Sequence, residues 1–383
     1  MHPTGWRVKP VFQKHISKLR RKGRVRMNIR MKTQTVSCVV VLTLSFPAAL
    51  GRSQRAHEPA TVLVSVNTAG TAGGSYFDPV ISANGRFVTF VSFASDLVTN
   101  DTNDTNGMLD VFVRDLKTGS TGLVSVNSAG TGSGNGSSGS AIARGGEIAA
   151  PPVISADGRF VAFVSFARDL VDNDTNGNQS DVFVRDLKTG TTTLVSVNSA
   201  GTRSGGGTSY APVISADGRF VSFLSNATDL VAADDSNVTF DVFVRDLKTG
   251  TTTLASVNSA GTRSGGGTAP VISADGRFVA FLSDASNLVA NDINGATDVF
   301  VRDLQTGTTT LVSVNSAGMG GDRASGLLPA GDAFLIAVPA ISADRRFVAF
   351  VSLASDLVAN DTNGATDVFV RRIGKQRGKK GWF

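Results

Sequence analysis

The sequence has a single cysteine, Cys38, and three histidines, His2, His15 and His57, and all four lie ahead of residue 58. A Ser-His-Asp triad and a histidine-ligated metal site are therefore excluded from the rest of the chain. Structural disulfides are excluded as well. The chain must be held together by its own hydrophobic core, which roughly 330 residues can readily supply.

Glutamate and tryptophan are almost absent. Glu58 and Glu147 are the only glutamates among 31 acidic residues, and the two tryptophans lie near the chain ends. Aspartate favours turns whereas glutamate favours helices, so this composition points away from α-helix. The repeats contain no tryptophan to stack a sugar, no Gly-x-Ser-x-Gly elbow and no phosphate-binding Gly-x-x-x-x-Gly-Lys-Ser/Thr loop.

The first 56 residues differ from the rest of the chain. They carry 13 Lys or Arg and no acidic residue, and the apolar run 36–50 follows Met31. A basic start, a short apolar run and small residues beyond it are typical of a secretory signal peptide. We expect cleavage near Ala49 or Gly51, which would remove Cys38, and an exported protein that is periplasmic or extracellular.

An uncleaved membrane anchor is the alternative for this apolar run. The run is shorter than a bilayer requires, so we expect no stable membrane span once the signal is removed. The basic residues ahead of the run are unusual for a signal. A start codon assigned too early, with Met27 or Met31 as the true start, explains them; nucleic-acid binding is the competing explanation, and no aromatic ladder accompanies the charge to favour it.

The net charge of +6 hides an acidic body. Thirteen basic residues precede His57 and six lie in 371–383, so the repeats between them carry 18 basic and 31 acidic residues. An acidic body disfavours nucleic acid as a partner and favours divalent cations. We divide the chain into a basic extension with signal peptide (1–56), a β-rich body (57–372) and a basic tail (373–383) that is expected to be disordered.

Five copies of one repeat make up the body. A Val-Ile-Ser-like segment begins at Val80, Val153, Val213, Val271 and Ala340, and an Asp-Val-Phe-Val segment begins at Asp110, Asp181, Asp241, Asp298 and Asp367. The start-to-start spacings of 73, 60, 58 and 69 residues suit a four-stranded unit with one long loop. A propeller, or a stack of sheets, is therefore favoured.

Each copy is predicted to contain four strands. Proline opens the first strand, where it costs no ladder hydrogen bond, and Asn84-Gly85 or its Asp-Gly equivalents predict a type I′ turn after it. In the last copy Asp344-Arg345 should strain or retype this turn. The second and third strands are nearly continuous apolar runs, which indicates burial on both faces, and the Thr-rich fourth strand suits an outer edge.

The strand count bears on closure. The body begins with a lone fourth strand, Thr61 to Asn67, and ends after a third strand, Asp367 to Arg371. We predict an all-β fold, a five-bladed β-propeller of four-stranded antiparallel blades, in which the N-terminal strand joins the last blade and so hides the sheet edges. An open stack of sheets is the alternative.

The repeat resembles a known family. Ser-Ala-Asp-Gly-Arg-Phe followed by Asp-Val-Phe-Val-Arg-Asp is similar to the WD-like propeller repeat of TolB-like proteins, over about 35 residues in each copy. This chain has alanine at positions such as Ala156 where the family usually has proline, and the N-terminal domain of TolB is not evident. The resemblance implies a propeller fold; it does not carry over the partner of TolB itself.

In such a meander the long segments share one face. These are the Asp/Asn loops such as 291–297 and the Gly/Ser connections 128–150 and 316–338. We expect a non-catalytic binding or scaffold module that holds a protein or a surface glycan on that face. The alternative is a glycoside hydrolase-like propeller enzyme, for which Glu147 is the best single candidate.

The Asp/Asn loops also suggest a metal. Oxygen ligands at alternate positions on a tight Gly turn are what calcium prefers, although this is not the EF-hand spacing. The candidate ligands are Asp104, Asn106 and Asp110; Asp174, Asn176 and Asp181; Asp292, Asn294 and Asp298; and Asp361, Asn363 and Asp367. The third copy, 235–238, lacks the glycine and should be weakest. The alternative is that these residues serve only as turn formers, because Asp and Asn hydrogen-bond their own backbone.

Overall fold

The computed structural model describes residues 61–373, apart from 72, 74–75, 102–107, 144–145, 150, 233–238, 263–264 and 331–332. Within these residues every regular element is a β-strand, so the all-β prediction is confirmed. No stretch of them forms a helix of the length and apolarity that crossing a bilayer would require. The predicted signal peptide and extension (1–56), with Cys38, and the tail from residue 374 onward lie outside the described residues.

Each repeat forms one antiparallel sheet in which the strands follow one another in chain order. The first sheet contains β1 (Tyr76–Ile81), β2 (Phe87–Ser92), β3 (Asp110–Asp115) and β4 (Ser120–Leu123). The second contains β7 (Val153–Ile154), β8 (Phe160–Ser165), β9 (Asp181–Asp186) and β10 (Thr191–Leu194), and the third contains β11 (Ser209–Ile214), β12 (Phe220–Ser225), β13 (Asp241–Asp246) and β14 (Thr251–Leu254). The fourth contains β15 (Thr268–Ile272), β16 (Phe278–Ser283), β17 (Asp298–Asp303) and β18 (Thr308–Leu311), and the fifth contains β21 (Ala340–Ile341), β22 (Phe347–Ser352) and β23 (Asp367–Arg372). Four sheets thus have the four predicted strands.

Two connections between sheets contain a β-hairpin that the sequence pattern did not predict. One consists of β5 (Ser140–Ala143) and β6 (Gly146–Ala149), ahead of the second sheet, and the other of β19 (Leu327–Ala330) and β20 (Ala333–Ile336), ahead of the fifth. They account for the longer spacing of these two repeats. Their strands, SAIA with GEIA and LLPA with AFLI, have little of the β-branched alternation by which strands are recognised.

The core consists of apolar layers between successive sheets. Between the second and third sheets, for example, Val164 and Val184 of one sheet pack with Phe223 and Phe243 of the next. In the first four sheets both faces of the second and third strands are covered in this way, as predicted from their continuous apolar runs. The fourth strands bury only every other residue or fewer, as an outer edge should.

The sequence predicted that proline opens every first strand. The structure shows that it does not. β11 begins at Ser209, three residues ahead of Pro212, and the same holds for β1; β15 begins two residues ahead of its proline. The strand shifts register at this point and Ala211, before the proline, has a φ of 51°. A bulge of this kind lets proline lie inside a strand without breaking the ladder, because the bulged residues are not paired.

The first turn of each repeat is not a type I′ turn. The glycine alone has a positive φ, as at Gly158, and Asp157 before it does not. The N–H of Gly158 donates to the carbonyl of Ser155, and the Ser155 hydroxyl donates to the Asp157 carboxylate. The sequence analysis predicted the turn from the backbone preference of the Asp-Gly pair alone. In the structure, the side-chain hydrogen bond from Ser155 to Asp157 also stabilises it. In the last repeat Arg345 takes the glycine position at a φ of 61°, so the predicted strain is confirmed.

The N-terminal strand does not join the last sheet in the described structure. The segment 61–67 lies on the first sheet, where Val64 packs with Phe90 and Phe112. The N–H of Thr68 donates to the Asp96 carbonyl over 2.8 Å. The fifth sheet ends at β23 with three strands. Among the described residues, therefore, no strand pair closes the series of sheets.

Candidate functional site

The meander places two kinds of segment on opposite sides of the sheets. The first-to-second and third-to-fourth turns lie on what we call the turn side. The second-to-third loops and the connections between sheets lie on the other, the connection side. Contacts follow this division: the N–H of Ala156 in one first turn donates to the carbonyl of Ala216 in the next, whereas the N–H of Ser128 in a connection donates to the carbonyl of Asp169 in a second-to-third loop.

The side chains of the turn side satisfy one another. In the second sheet Arg159 donates two hydrogen bonds, of 3.0 and 2.7 Å, to the Asp186 carboxylate and lies 4.6 Å from the centre of the Phe160 ring. These bonds hold the pKa of Asp186 well below its usual value, at about 2. The same arrangement recurs in the other four-stranded sheets. The turn side thus has a structural role, because its charged side chains bind one another. This role was not predicted from the sequence, although the repeated Gly-Arg-Phe and Val-Arg-Asp segments indicate it.

On the connection side, an aspartate early in the second-to-third loop of the second, third and fifth sheets holds the incoming connection by hydrogen bonds, whereas the fourth sheet has Asn287 at this position. The Asp169 carboxylate accepts the N–H of Asn135, and the Asp229 carboxylate accepts the N–H of Gly206 over 2.8 Å. Asp356 has the same role in the fifth sheet. These residues belong to the repeated Asp-Leu-Val motif, which sequence reasoning did not use. They give the Gly-rich connections a fixed path although their own side chains are small.

The structure brings the predicted metal ligands of the second sheet together. The Asn176 Nδ2 donates to Asp181 Oδ2 and to the Gly205 carbonyl, both over 2.8 Å, and Ser196 donates to Asp181 Oδ1 over 2.6 Å. Asp174 is buried, and its Oδ1 has no hydrogen-bond partner; the same is true of Asn176 Oδ1. Burial raises the pKa of Asp174, and it raises that of Asp181 to about 8.

The fourth sheet repeats the arrangement with two differences. Asn294 Nδ2 donates to Asp298 Oδ2 and to the Gly321 carbonyl, both over 2.7 Å. Asp292 is only 4% exposed, and neither of its carboxylate oxygens has a hydrogen-bond partner. Burial raises the pKa of Asp292, and it raises that of Asp298 to about 6. The Asn294 Oδ1 differs from that of Asn176 in accepting the Ala296 N–H.

The remaining candidates are less complete. In the first sheet Asp110 accepts a hydrogen bond from Ser125, while Asp104 and Asn106 lie outside the described residues, as does 235–238 of the third copy. In the fifth sheet Asp361, Asn363 and Asp367 are partly or fully exposed, and Asn363 Oδ1 accepts the Ala365 N–H. Across the described part of the chain, no group of three acidic, histidine or cysteine side chains is placed to hold a metal ion.

Glu147, the candidate for hydrolytic chemistry, lies in the hairpin strand β6, where its backbone pairs with Ile142. It is the only glutamate among the described residues. Acid–base cleavage of a glycosidic bond needs a second carboxyl group at a defined separation from the first. Nothing in the hairpin sequence Gly146–Ala149 supplies one.

No family model and no curated protein matches the sequence. Solved structures do match. The chain is similar to TolB of Acinetobacter baumannii, with 14% identity over 80% of this chain and 56% of that chain and a TM-score of 0.40. It is also similar to a putative TolB from Agrobacterium tumefaciens, with 15% identity over 79% and 91% of the two chains and a TM-score of 0.38.

The tricorn protease is a third similar structure, with 14% identity over 80% of this chain and 27% of that chain and a TM-score of 0.38. This chain thus spans little more than half of the length of the first TolB and about a quarter of the protease. These likenesses assign no activity to this chain.

Proposed function

We propose that this chain is an exported, non-catalytic β-propeller that closes five blades into a ring and binds another protein through its connection side. The observation that carries the proposal is the division of the sheets into two sides. The turn side repeats one self-satisfied arrangement, whereas the connection side carries both hairpins and the loops that differ between repeats. A surface that differs from repeat to repeat can recognise one partner, and an invariant one cannot.

Exposure at the two ends of the series supports closure. Val368 and Val370 in the fifth sheet are 75% and 62% exposed, whereas Val182 and Val184 at the same positions of the second sheet are 0% and 3% exposed. Leu63 in the N-terminal segment is 52% exposed. Apolar side chains that are buried in the inner sheets and exposed only at the ends favour a joint between those ends.

A recurring hydrogen bond supports the same joint. In each four-stranded sheet the first residue of the third strand, an aspartate, accepts a hydrogen bond of 2.5–2.7 Å from a serine that follows the fourth strand. In the fifth sheet, which has no fourth strand, the described residues contain no such serine bond to the equivalent aspartate, Asp367. The equivalent serine in the N-terminal segment is Ser65, in the same Leu-Val-Ser sequence. Pairing 61–64 with β23 would complete the bond.

Cysteine pairing tests closure. By the register of the other sheets Val62 should lie opposite Val370, so the double variant Val62→Cys/Val370→Cys should form a disulfide within one chain under mild oxidation. Loss of both free thiols in a monomer is the expected result. The control Leu63→Cys/Val370→Cys places the two side chains on opposite faces and should not react. Disulfide-linked dimers, or no reaction of the first variant, would contradict closure within a chain.

Exposed apolar residues on the connection side favour a protein partner. Leu335 and Ile336 in β20 are exposed, and so are Phe77 and Phe93 of the first sheet, whose rings meet edge to face at 5.9 Å. A closed ring makes the fifth and first sheets neighbours, which would place these residues on one patch. Apolar patches of this kind are typical of protein interfaces. A glycan site would instead be expected to offer a flat aromatic platform such as tryptophan.

Affinity capture from an envelope extract tests the function. The wild-type chain should retain a specific protein, and Leu335→Ser/Ile336→Ser should lose it. Leu116→Ser, which removes an exposed leucine on the turn side, is the matched control and should retain it. Binding to a glycan array with no retained protein would point to a surface glycan instead. Glycan hydrolysis that Glu147→Gln abolishes would replace the proposal with the glycoside hydrolase alternative.

A further inference from the structure

The second-to-third loops of the second and fourth sheets each bury two carboxylates close enough to influence one another. Burial raises the pKa of Asp181 and of Asp298, and the neighbouring Asp174 and Asp292 raise these values further. Among the described residues no Lys or Arg forms an ion pair with any of the four. Arg168 alone acts at a distance, on Asp174. Burying a charge without a partner is costly, so native structures normally pair such groups or bind a cation there.

The hydrogen bonds within each loop separate the roles of the two carboxylates. Asp181 and Asp298 each accept bonds from a serine and from an asparagine Nδ2, so their oxygens are already engaged. Asp292 is the unsatisfied carboxylate of the fourth sheet, and in the second sheet Asp174 has one oxygen without a partner, Oδ1. Asp292 is only 4% exposed, and neither of its carboxylate oxygens has a hydrogen-bond partner. A buried polar side chain left in this way needs an explanation beyond the turn itself.

The loop offers further oxygens of the kind that a hard cation prefers. Asn176 lies two residues after Asp174, and its buried Oδ1 has no hydrogen-bond partner. The connection that follows the second sheet crosses this loop, where Ser204 Oγ accepts the N–H groups of Thr175 and Asn176. Carboxylate, amide and backbone carbonyl oxygens in a loop are the usual ligands of calcium, whereas magnesium demands a strict octahedron and retains its waters.

We propose that calcium binds at two sites on the connection side, one at Asp174 with Asn176 in the second sheet and one at Asp292 in the fourth. Only one carboxylate per site is free to coordinate directly, so each site belongs to the weak class of extracellular modules, with a Kd of about 10⁻⁴–10⁻³ M. An exported protein meets calcium at such concentrations. Calcium binding does not depend on the identity of the protein partner, so the two proposals are tested separately.

The test compares unfolding in chelator and in 10 mM calcium chloride, with magnesium chloride and sodium chloride of matched ionic strength as further conditions. Each occupied site should shift the unfolding equilibrium constant of the wild type by about 10- to 100-fold, by mass action, with little shift in magnesium or sodium. Calorimetric titration with calcium should show one site fewer in Asp174→Asn and one fewer in Asp292→Asn.

The two variants also separate a cation site from a plain turn. Asp292→Asn removes a buried charge, so in chelator it should be as stable as the wild type or more stable, and in calcium the order should reverse. Asp229→Asn is the matched control, because that carboxylate is hydrogen-bonded to Gly206 and Arg203 and should lose stability equally in both conditions. Superimposable wild-type curves with and without calcium, or no reversal for Asp292→Asn, would overturn the proposal.

Discussion

The packing of successive sheets should depend on one glycine in each first turn. In the third sheet Gly218 has a φ of 72°, and a methyl group at its Cβ position would lie 2.2 Å from Cδ2 of Phe160 in the second sheet. Nonbonded carbon atoms normally lie about 3.5–4.0 Å apart. In Gly218→Ala the ring or the turn must therefore move by more than about 1 Å. We expect this variant to loosen the joint between the two sheets.

Two costs add in this variant, and they can be separated. The left-handed φ costs an alanine about 1–2 kcal/mol, and overpacking a well-packed interior costs about 1–3 kcal/mol. The smaller entropy of an unfolded alanine chain returns about 0.4–1 kcal/mol. Gly201 also has a φ of 72° but has no atom within 4 Å of the added carbon. Gly201→Ala should therefore show only the backbone cost, and the difference between the two variants should be about 1–3 kcal/mol.

Urea unfolding followed by circular dichroism measures both variants. Shrinking the ring in the double variant Gly218→Ala/Phe160→Leu should recover part of the loss, and a double-mutant cycle should show coupling between the two positions. The same cycle with Gly201→Ala should show none. Equal destabilisation by Gly218→Ala and Gly201→Ala, without coupling to Phe160, would refute the packing argument and leave the turn glycine with a backbone role alone.

Three further outcomes are expected. Arg345→Gly should stabilise the fold by about 0.5–1 kcal/mol, as measured by urea unfolding. The change removes the left-handed backbone strain of Arg345 and loses only a weak, exposed ion pair with Asp275. A loss of stability would contradict this. Arg219 lowers the folded pKa of Asp246 to about 2, below the unfolded value of about 3.9, so this stabilisation is complete above about pH 4 and is lost as the pH falls toward 2. Asp246→Asn should flatten the stability profile in that window, and an unchanged slope would contradict the assignment. Mass spectrometry of the exported protein should find an N-terminus near 49–51, and an intact first methionine would contradict export by a cleaved signal.

The strands that the sequence predicted best are the second and third of each repeat. Their apolar residues occur at successive positions, as in Val161 to Val164, and only burial on both faces can accommodate such a run. The sequence of a single repeat was therefore sufficient to predict that sheets pack on both sides. The turn type was predicted less well, because the Asp157 carboxylate is held by Ser155 and not by the backbone preference of the Asp-Gly pair alone.

The candidate site could be predicted only in part, for a related reason. Spacing placed Asp174, Asn176 and Asp181 in one loop, and they do meet. Which of their oxygens is left without a partner depends on Ser196 beyond the third strand and on Gly205 in the connection to the next sheet. Local spacing contains no information about these longer-range bonds. The two hairpins were missed because their strands pair only with each other and carry no strong alternation.

The repetition itself limits where recognition can reside. The sequence Asp-Val-Phe-Val-Arg-Asp is identical in the third strand of four sheets, and each copy buries its valines against the neighbouring sheet. A residue that every repeat needs for packing cannot distinguish one partner from another. Variation is free only where a segment leaves the sheets, as in β5 with β6, in β19 with β20 and in the Asp/Asn loops. Loss of a partner should therefore follow changes in these segments with little loss of stability, whereas changes in the shared strands should unfold the chain first.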